Sequence, residues 1–555
     1  MSLTFQQFID NEHHFKVYLV KIRPYQEITG FTLHSGAVYK KTVTDKIVHC
    51  RQNLVAMTAG ASASLSAGQW FYDSSTEELY VRMLDDSSPS GSNVYAYHYL
   101  YFSTYYSPEL GDPDNNYWTD QIKNIPEITR GRSGTLSRVT TTFGKLKFFN
   151  GDNYWKDKWN SLKLDFVQFE IYLSGFVFKV SDRTKDWLPW ANKKTILKGL
   201  CKRESYSDKE VIFKLGEIFD FFASTFPLTE YSTSTYSNLD TGATGRSIHR
   251  GYGILKGIEA VEIDTTNYTY KFDDQAVTSI DAVYDSDGTT LSTSSTSTTN
   301  ATVTLSSSTN KTVYVDYTKT VGTSSRAGSI KLEILQNVLG IATADIDTAA
   351  YSTLDTDRPY TLGISIPSKK PILDIFKEIN ESVLAEDNVN RDGQFTTKKI
   401  VKASSGDANQ QTYTDYLNVL GEPQFDQNID NLANRILIGY DRDHSKEEAN
   451  QYKFQSVDAL GNEYELVKVL TIPTALRSSS DATAIGTAYV PFLNAPETQV
   501  KFKTTLKPFS QWVGETIKYD RPAEDDGPSG GSAYWKILRI RENYSKGTTE
   551  IIGVN

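Results

Sequence analysis

Along most of the chain apolar and polar residues alternate with a period of two, the pattern of half-buried β-strands. Phe15–Ile22 predicts a strand with apolar residues on both faces. Gly68 to Asp73, a polar turn at Ser74–Thr76, and Leu79 to Met83 predict a hairpin, ended by the polar break Asp85–Gly91. Val94 to Tyr106 reads as another strand pair, and Gly111–Asn116 as a breaker. Thr135–Leu146, Leu162–Val180 and Val211–Leu215 continue in β, with Asn150-Gly151 as a turn signal. A short helix from Glu217 would set Ile218, Phe221 and Phe222 on one face. Residues 231–250 read as a polar linker.

Three further strands follow at Thr269–Phe272, Ile280–Tyr284 and Val313–Tyr317. Residues 285–312 are nearly all Ser, Thr, Gly and Asn, the composition of a flexible loop. Within them, however, Ala301, Val303 and Leu305 alternate and predict a pairing strand. The period then changes. Ile330, Ile334, Leu335, Val338 and Leu339 stand at helical spacing before a stop at Gly340. A second helix, opened by Pro371, carries Ile372, Ile375, Phe376, Ile379 and Val383, and an Asp392-Gly393 turn leads into a strand at Gln394–Ile400. Ala433–Tyr440, Thr516–Tyr519, Ala533–Arg541 and Thr548–Val554 return to β, with a loop at Asp520–Ser532 and a turn at Ser545–Gly547.

The expected fold is mainly β with a smaller α+β part. At 555 residues it should be divided into roughly three to five domains. The expected units are 1–125, 126–245, 246–325, 326–420 (α+β) and 421–555. The 34 Tyr and 26 Phe against 3 Met agree with a β-rich chain. A net charge of −10 argues against a dedicated duplex-binding protein, although a local basic lining inside a ring of subunits stays compatible with it. No stretch approaches the roughly 20 apolar residues of a membrane span, and the first residues do not form a secretory signal. Synthesis in a cytoplasm is expected. There Cys50 and Cys201 read as buried free thiols, and a disulfide stays open. The glycosylation-type sequons at Asn267, Asn300, Asn310, Asn380 and Asn543 are incidental to a Ser/Thr-rich composition.

Few motifs point to chemistry. Asn388-x-Asn390-x-Asp392-Gly393 begins like a calcium loop but places Lys399 where a bidentate Glu is needed, so a β-turn is expected. Asp285-x-Asp287-Gly288 also reads as a turn. His13, His14, His34 and His49 lack zinc spacing, and no phosphate loop occurs. Trp155, Trp159, Trp187 and Trp190 suit core packing better than a sugar platform. No catalytic, cofactor-binding or metal residue is assigned, and no enzyme is expected.

Five segments in order resemble hub proteins of long, non-contractile phage tails: Trp70–Asp73 with Leu79–Met83; Thr244–Gly253 with Tyr268–Tyr284; Pro371–Ile400; Asn428–Tyr440; and Val513–Gly553. His249 stands where the family has Pro. The resemblance implies a tail-tip or baseplate hub of the virion with two tube-like β-barrel subdomains per chain and an α/β subdomain. Three chains would then mimic a six-fold tube ring. Implied partners are further copies in a homotrimer, the distal tail protein, the tail tube, the tape measure protein, fibre or spike proteins, and genomic DNA in transit during ejection. A ring would also bury edge strands and aromatic patches. The alternative is a carbohydrate-binding or carbohydrate-degrading tail or surface protein.

Overall fold

The computed structural model describes residues 14–555 apart from 29–30, 44–46, 48, 53–54, 84–87, 90–93, 98, 105–117, 133–139, 166, 180–183, 217–224, 323, 408–410, 415–417, 430–431, 460–467, 506–510 and 522–530. The expected helix from Glu217, the breaker at Gly111–Asn116, His13, and most of the Asp85–Gly91 and Asp520–Ser532 segments lie outside the described residues. The fold is mainly β, with several barrel-like sheets and a smaller helical part.

The first barrel is a sheet that returns to itself. Its strands run in the order Thr119–Asp120, Leu100–Ser103, His14–Ile22, Val167–Lys179, Lys194–Tyr206, Glu210–Gly216, Lys145–Phe149 and Ile122–Asn124. The first and last members are consecutive pieces of chain, and the Phe149 N–H donates to the Gln121 carbonyl between them (2.7 Å). Closure of this kind removes the free edges of a sheet. The interior holds Phe102, Leu146, Phe148, Phe169, Ile171, Val211 and Phe213, all buried.

Asn150-Gly151 forms a turn, as its sequence predicts, with the Asn153 N–H on the Asn150 carbonyl (3.2 Å), and the chain then enters a helix, Tyr154–Ser161. Asn150 is the reason: its buried side chain accepts the Trp155 N–H (3.1 Å) and donates to the Ser207 carbonyl (2.8 Å). Trp155 is thereby delivered into the barrel, with its ring centroid 5.1–5.4 Å from those of Phe102, Phe148 and Phe213. Val94–Tyr97 and Leu100–Ser103 are both strands but not a pair. The former lies between Tyr25–Ile28 and His49–Gln52, and the latter joins the barrel. The predicted hairpin forms in register, Gln69 opposite Arg82 and Asp73 opposite Glu78.

Residues 231–250 are not a loose linker. Tyr231, Leu239, Ala243 and Ile248 are buried together against Val261, and backbone bonds such as Tyr231 N–H to Arg246 C=O (2.9 Å) fix the segment. Its few apolar residues are spaced irregularly, so neither period reveals them. The chain continues into a long bent strand, Arg250–Asp264, the spine of a second barrel-like sheet with Val313–Lys319, Ser279–Asp285, Thr269–Lys271, Thr302–Leu305 and Thr293–Ser297. Ala301, Val303 and Leu305 are buried, as their alternation predicts, and their strand pairs with Thr293–Ser297 inside the Ser/Thr-rich stretch.

The spine bends because it is interrupted by glycine. Gly253 has φ +85°, and a Cβ there would lie 1.9 Å from the Leu362 carbonyl oxygen. Gly253→Ala is therefore expected to cost about 2 kcal/mol or more by loosening the pairing with Gly363–Ile366. A lower urea midpoint with an unchanged slope would register it.

The largest apolar core lies in the α/β part. The predicted helix begins at Ala327–Glu333 and continues as a π turn over Ile334–Val338, with Gly340 at φ +64° ending it. Ile372–Val383 follows Pro371 and buries the expected face. Two further helices, Thr348–Asp357 and Ser479–Leu493, are additions to the sequence reading. The predicted 433–440 segment becomes the centre of a three-stranded sheet.

The last sheet orders Thr140–Phe143, Ile128–Gly131, Gly531–Asn543, Thr548–Val554, Glu497–Thr505 and Gln424–Asn428, with Thr516–Arg521 beside Gly531–Asn543. Strands from 1–125 and 126–245 thus share the first barrel, while strands from 126–245 and 421–555 share this sheet.

Candidate functional site: buried ionic joints between the sheets

The residues singled out for chemistry are engaged in local structure. Asn390 closes its turn by accepting the Gln394 N–H through Oδ1 (2.9 Å) and the Gly393 N–H through its carbonyl (3.0 Å). Asp285 accepts the N–H groups of Asp287 (3.0 Å) and Thr289 (2.9 Å), and Lys311 lies 3.0 Å from Asp285 and 2.6 Å from Asp287. A lysine occupies the place a cation would take. Cys50 and Cys201 are both free and buried, and burial pushes both thiols up. The tryptophans divide between two packing clusters. Trp155 and Trp159 serve the barrel interior, whereas Trp187 and Trp190 cover Val17, Leu19 and Trp118 on its outside. Among the described residues, no group of three or more His, Cys, Asp or Glu could hold a metal ion.

The structure's own concentrations of charge lie where separate segments meet. Glu542, on the strand Gly531–Asn543, is almost wholly buried and takes Arg130 on one oxygen (2.6 Å) and Arg391 on the other (2.7 Å). The Trp512 ring faces both guanidinium groups, 4.4 Å from that of Arg130 and 5.2 Å from that of Arg391. Burial works against ionisation of Glu542, but the two arginines outweigh it and hold the carboxyl below its usual range. Both arginines stay charged. Beside this triad, Glu386 pairs with Arg132 and lies 3.6 Å from Lys398, whose ammonium donates to the Val513 carbonyl. Gly514 permits the approach: with φ +78°, a Cβ there would meet Arg132 Nη2 at 2.7 Å and Glu386 Oε1 at 2.8 Å.

Together these contacts clasp residues 128–132, the hairpin Ala385–Val389/Phe395–Lys399, residues 511–514 and the end of the strand Gly531–Asn543. A second joint gathers Lys256 (2.9 Å), Lys453 (2.9 Å) and Arg477 (2.8 Å) on Asp441, tying the second barrel to the α/β part. There too burial opposes ionisation, and hydrogen bonds from the two lysines, with the Arg477 charge, keep the carboxyl low. Within the α/β part, fully buried Lys331 donates to Asp387 (2.8 Å), Asn380 (2.5 Å) and Thr397 (3.2 Å).

The second barrel has its own buried network. Asp273 accepts Tyr317 Oη (2.6 Å), Lys319 Nζ (2.9 Å) and the Gly251 N–H (2.8 Å), while His249 Nε2 meets Ser365 Oγ at 2.9 Å and its Nδ1 meets Tyr317 Oη at 3.2 Å. Burial drives the His249 imidazole down to about 4. His249 is thus a packed, neutral histidine in the segment that resembles the hub pattern.

Buried ion pairs add little net stability, because desolvation offsets attraction, but they strongly penalise arrangements that leave one partner alone. The joints therefore fix how the sheets meet. Sequence reasoning does not find them, since the partners stand 412 residues apart for Arg130 and Glu542 and 254 apart for Arg132 and Glu386.

No family model matches the sequence, and no curated protein matches it. Among solved structures the chain is similar to a tail protein from Neisseria meningitidis MC58 (8% identity, TM-score 0.33, covering 78% of this chain and 97% of that one). It is also similar to a 43 kDa tail protein of prophage MuSo2 from Shewanella oneidensis (10%, TM-score 0.34, 78% and 92%) and to a prophage tail protein from Listeria monocytogenes EGD-e (8%, TM-score 0.31, 77% and 94%). At these TM-scores the likenesses bear on neither role nor partners.

Proposed function

We propose that the chain is a structural, non-catalytic hub of a phage tail tip or baseplate, located in the virion. It assembles as a homotrimer and joins the tail tube, the distal tail protein and the tape measure protein to fibres or a spike. It also lines the channel through which DNA leaves at host attachment. The observation that carries this reading is the presence of two barrel-like β units on one chain, one closed around Trp155 and one built on the spine Arg250–Asp264. Three copies would present six such units around an axis, the arrangement the five hub-like segments imply. Rigid ionic joints suit a part that must hold its shape between a tube and its appendages. The tryptophans that suggested carbohydrate binding are used in two separate packing clusters, so that reading gains no support.

Electron microscopy of the purified chain tests the proposal. Ring-shaped particles of three copies with a central channel are expected. A protein that stays monomeric at high concentration and is absent from isolated tails would overturn it.

A further inference from the structure

Charge is unevenly distributed along this chain. Residues 145–216 contain fifteen Lys and Arg against nine Asp and Glu, a surplus of six positive charges in a protein whose net charge is −10. The first barrel concentrates part of this surplus in one place. Lys145 stands directly opposite Lys214 on the neighbouring strand, and Lys214 stands directly opposite Lys202 on the next. Directly opposed residues share a face, so three ammonium groups form a row across three strands, spaced about 4.8 Å apart at the backbone. Lys145 and Lys214 are exposed, and Lys202 is half-buried. Lys147 continues the row along the same strand as Lys145, since residues two apart share a face.

Like charges directly opposite one another destabilise a sheet. Acidic neighbours answer only part of the row. Glu204 lies 2.6 Å from Lys145, Glu210 lies 3.9 Å from Lys147, and Asp165 lies in the field of Lys202. Lys214, at the centre, makes no ion pair among the described residues. The fold itself has no use for such a row, because the barrel core is formed by the opposite face of the same strands, at Leu146, Val211 and Phe213.

We propose that this lysine row is a contact surface for the phosphate backbone of nucleic acid. Surfaces that bury another protein are depleted of lysine and enriched in aromatics and arginine, and this row is lysine throughout. Flexible, hydrated ammonium groups without arginine forks suit a weak contact that does not read sequence, the kind a moving polyanion makes. The choice of nucleic acid as occupant rests on the channel-lining role proposed above.

Fluorescence anisotropy with a labelled random-sequence DNA duplex in 50 mM salt tests the surface. The variants are K214Q and the triple K145Q/K202Q/K214Q of the full chain. Wild type is expected to bind with an affinity that falls as salt rises. The triple variant should lose about tenfold or more at 50 mM salt, and its log–log salt slope should shrink by about 2 to 3. It should also melt no lower than wild type, because the opposed charges are relieved. Equal binding by wild type and triple variant, or no binding by wild type at 50 mM salt, overturns the proposal. So does a triple variant whose self-association falls by sedimentation, since the face would then be an interface between copies. The two readings fail separately. A monomer that binds duplex through the row contradicts the ring alone, whereas a ring indifferent to the lysines contradicts the row alone.

Discussion

Replacing Glu542 by glutamine is expected to remove about 3–5 kcal/mol of stability, more than any single surface change in the molecule. The substitution keeps the shape of the side chain and removes its charge. Arg130 and Arg391 would then remain buried with no carboxylate between them. The penalty arises from that uncompensated charge rather than from a lost contact. It should therefore shrink greatly in the triple variant R130M/E542L/R391M, in which charge and counter-charge leave together. Urea denaturation of the three proteins separates the cases. If E542Q unfolds at the wild-type midpoint, the triad is not a joint under load. The same carboxyl gives a pH signature. Its folded value is depressed, so its contribution is complete above the ordinary glutamate range and is lost as pH falls below that range.

The second large effect is acid sensitivity of the second barrel. His249 titrates at about 4 in the fold, and an unfolded histidine titrates near 6.5, so the unfolded chain binds the extra proton first. Stability is therefore complete above about pH 6.5 and falls as pH drops towards 4, by an amount on the order of 3 kcal/mol between pH 7 and 4. Lys319, Asp273 and Ser365 face the ring, and the buried Lys319 opposes a second positive charge there. His444, half-buried beside the bulge at Gly257, is driven down to about 3 by burial and then by Arg442, and acts in the same direction. Comparing the loss of stability from pH 7 to 4 in wild type and H249Q checks the assignment. Wild type should lose more, and an imidazole titrating near 6.5 by NMR would refute it.

Elements with a clean period were legible in the sequence. Ile372–Val383 carries five apolar residues at helical spacing behind a proline, and it forms as read. The hairpin from Trp70 to Val81 has two strands and a polar turn in the right order, and it also forms. Ser479–Leu493 escaped because Gly486, Pro491 and its threonines mask a helical stripe of Ala482, Ile485, Tyr489 and Phe492. A signal was present: Ser478 accepts the Asp481 N–H (3.1 Å), a cap followed three residues later by an acid. Asn150-Gly151 signals the turn that forms there, but not the helix around Trp155 that follows it. That helix is set by the Asn150 side chain, which accepts the Trp155 N–H and donates to the distant Ser207 carbonyl. The candidate joints were not legible at all. Arg130, Glu386 and Asp441 look like any other charged residues until distant strands bring their partners to them.

The pairing of Ile128–Gly131 with Gly531–Asn543 has a consequence for biosynthesis. Glu542 follows Arg130 by 412 positions, so 412 more residues must be translated after Arg130 before the two can meet. At roughly 5–20 residues per second, that leaves the earlier strand waiting for about 20–80 s. During this time the edge of Ile128–Gly131 that Gly531–Asn543 will cover, and Arg130 upon it, wait without that partner. Closure of this joint is therefore post-translational, whereas the first barrel, whose strands all lie within residues 14–216, can close on the nascent chain.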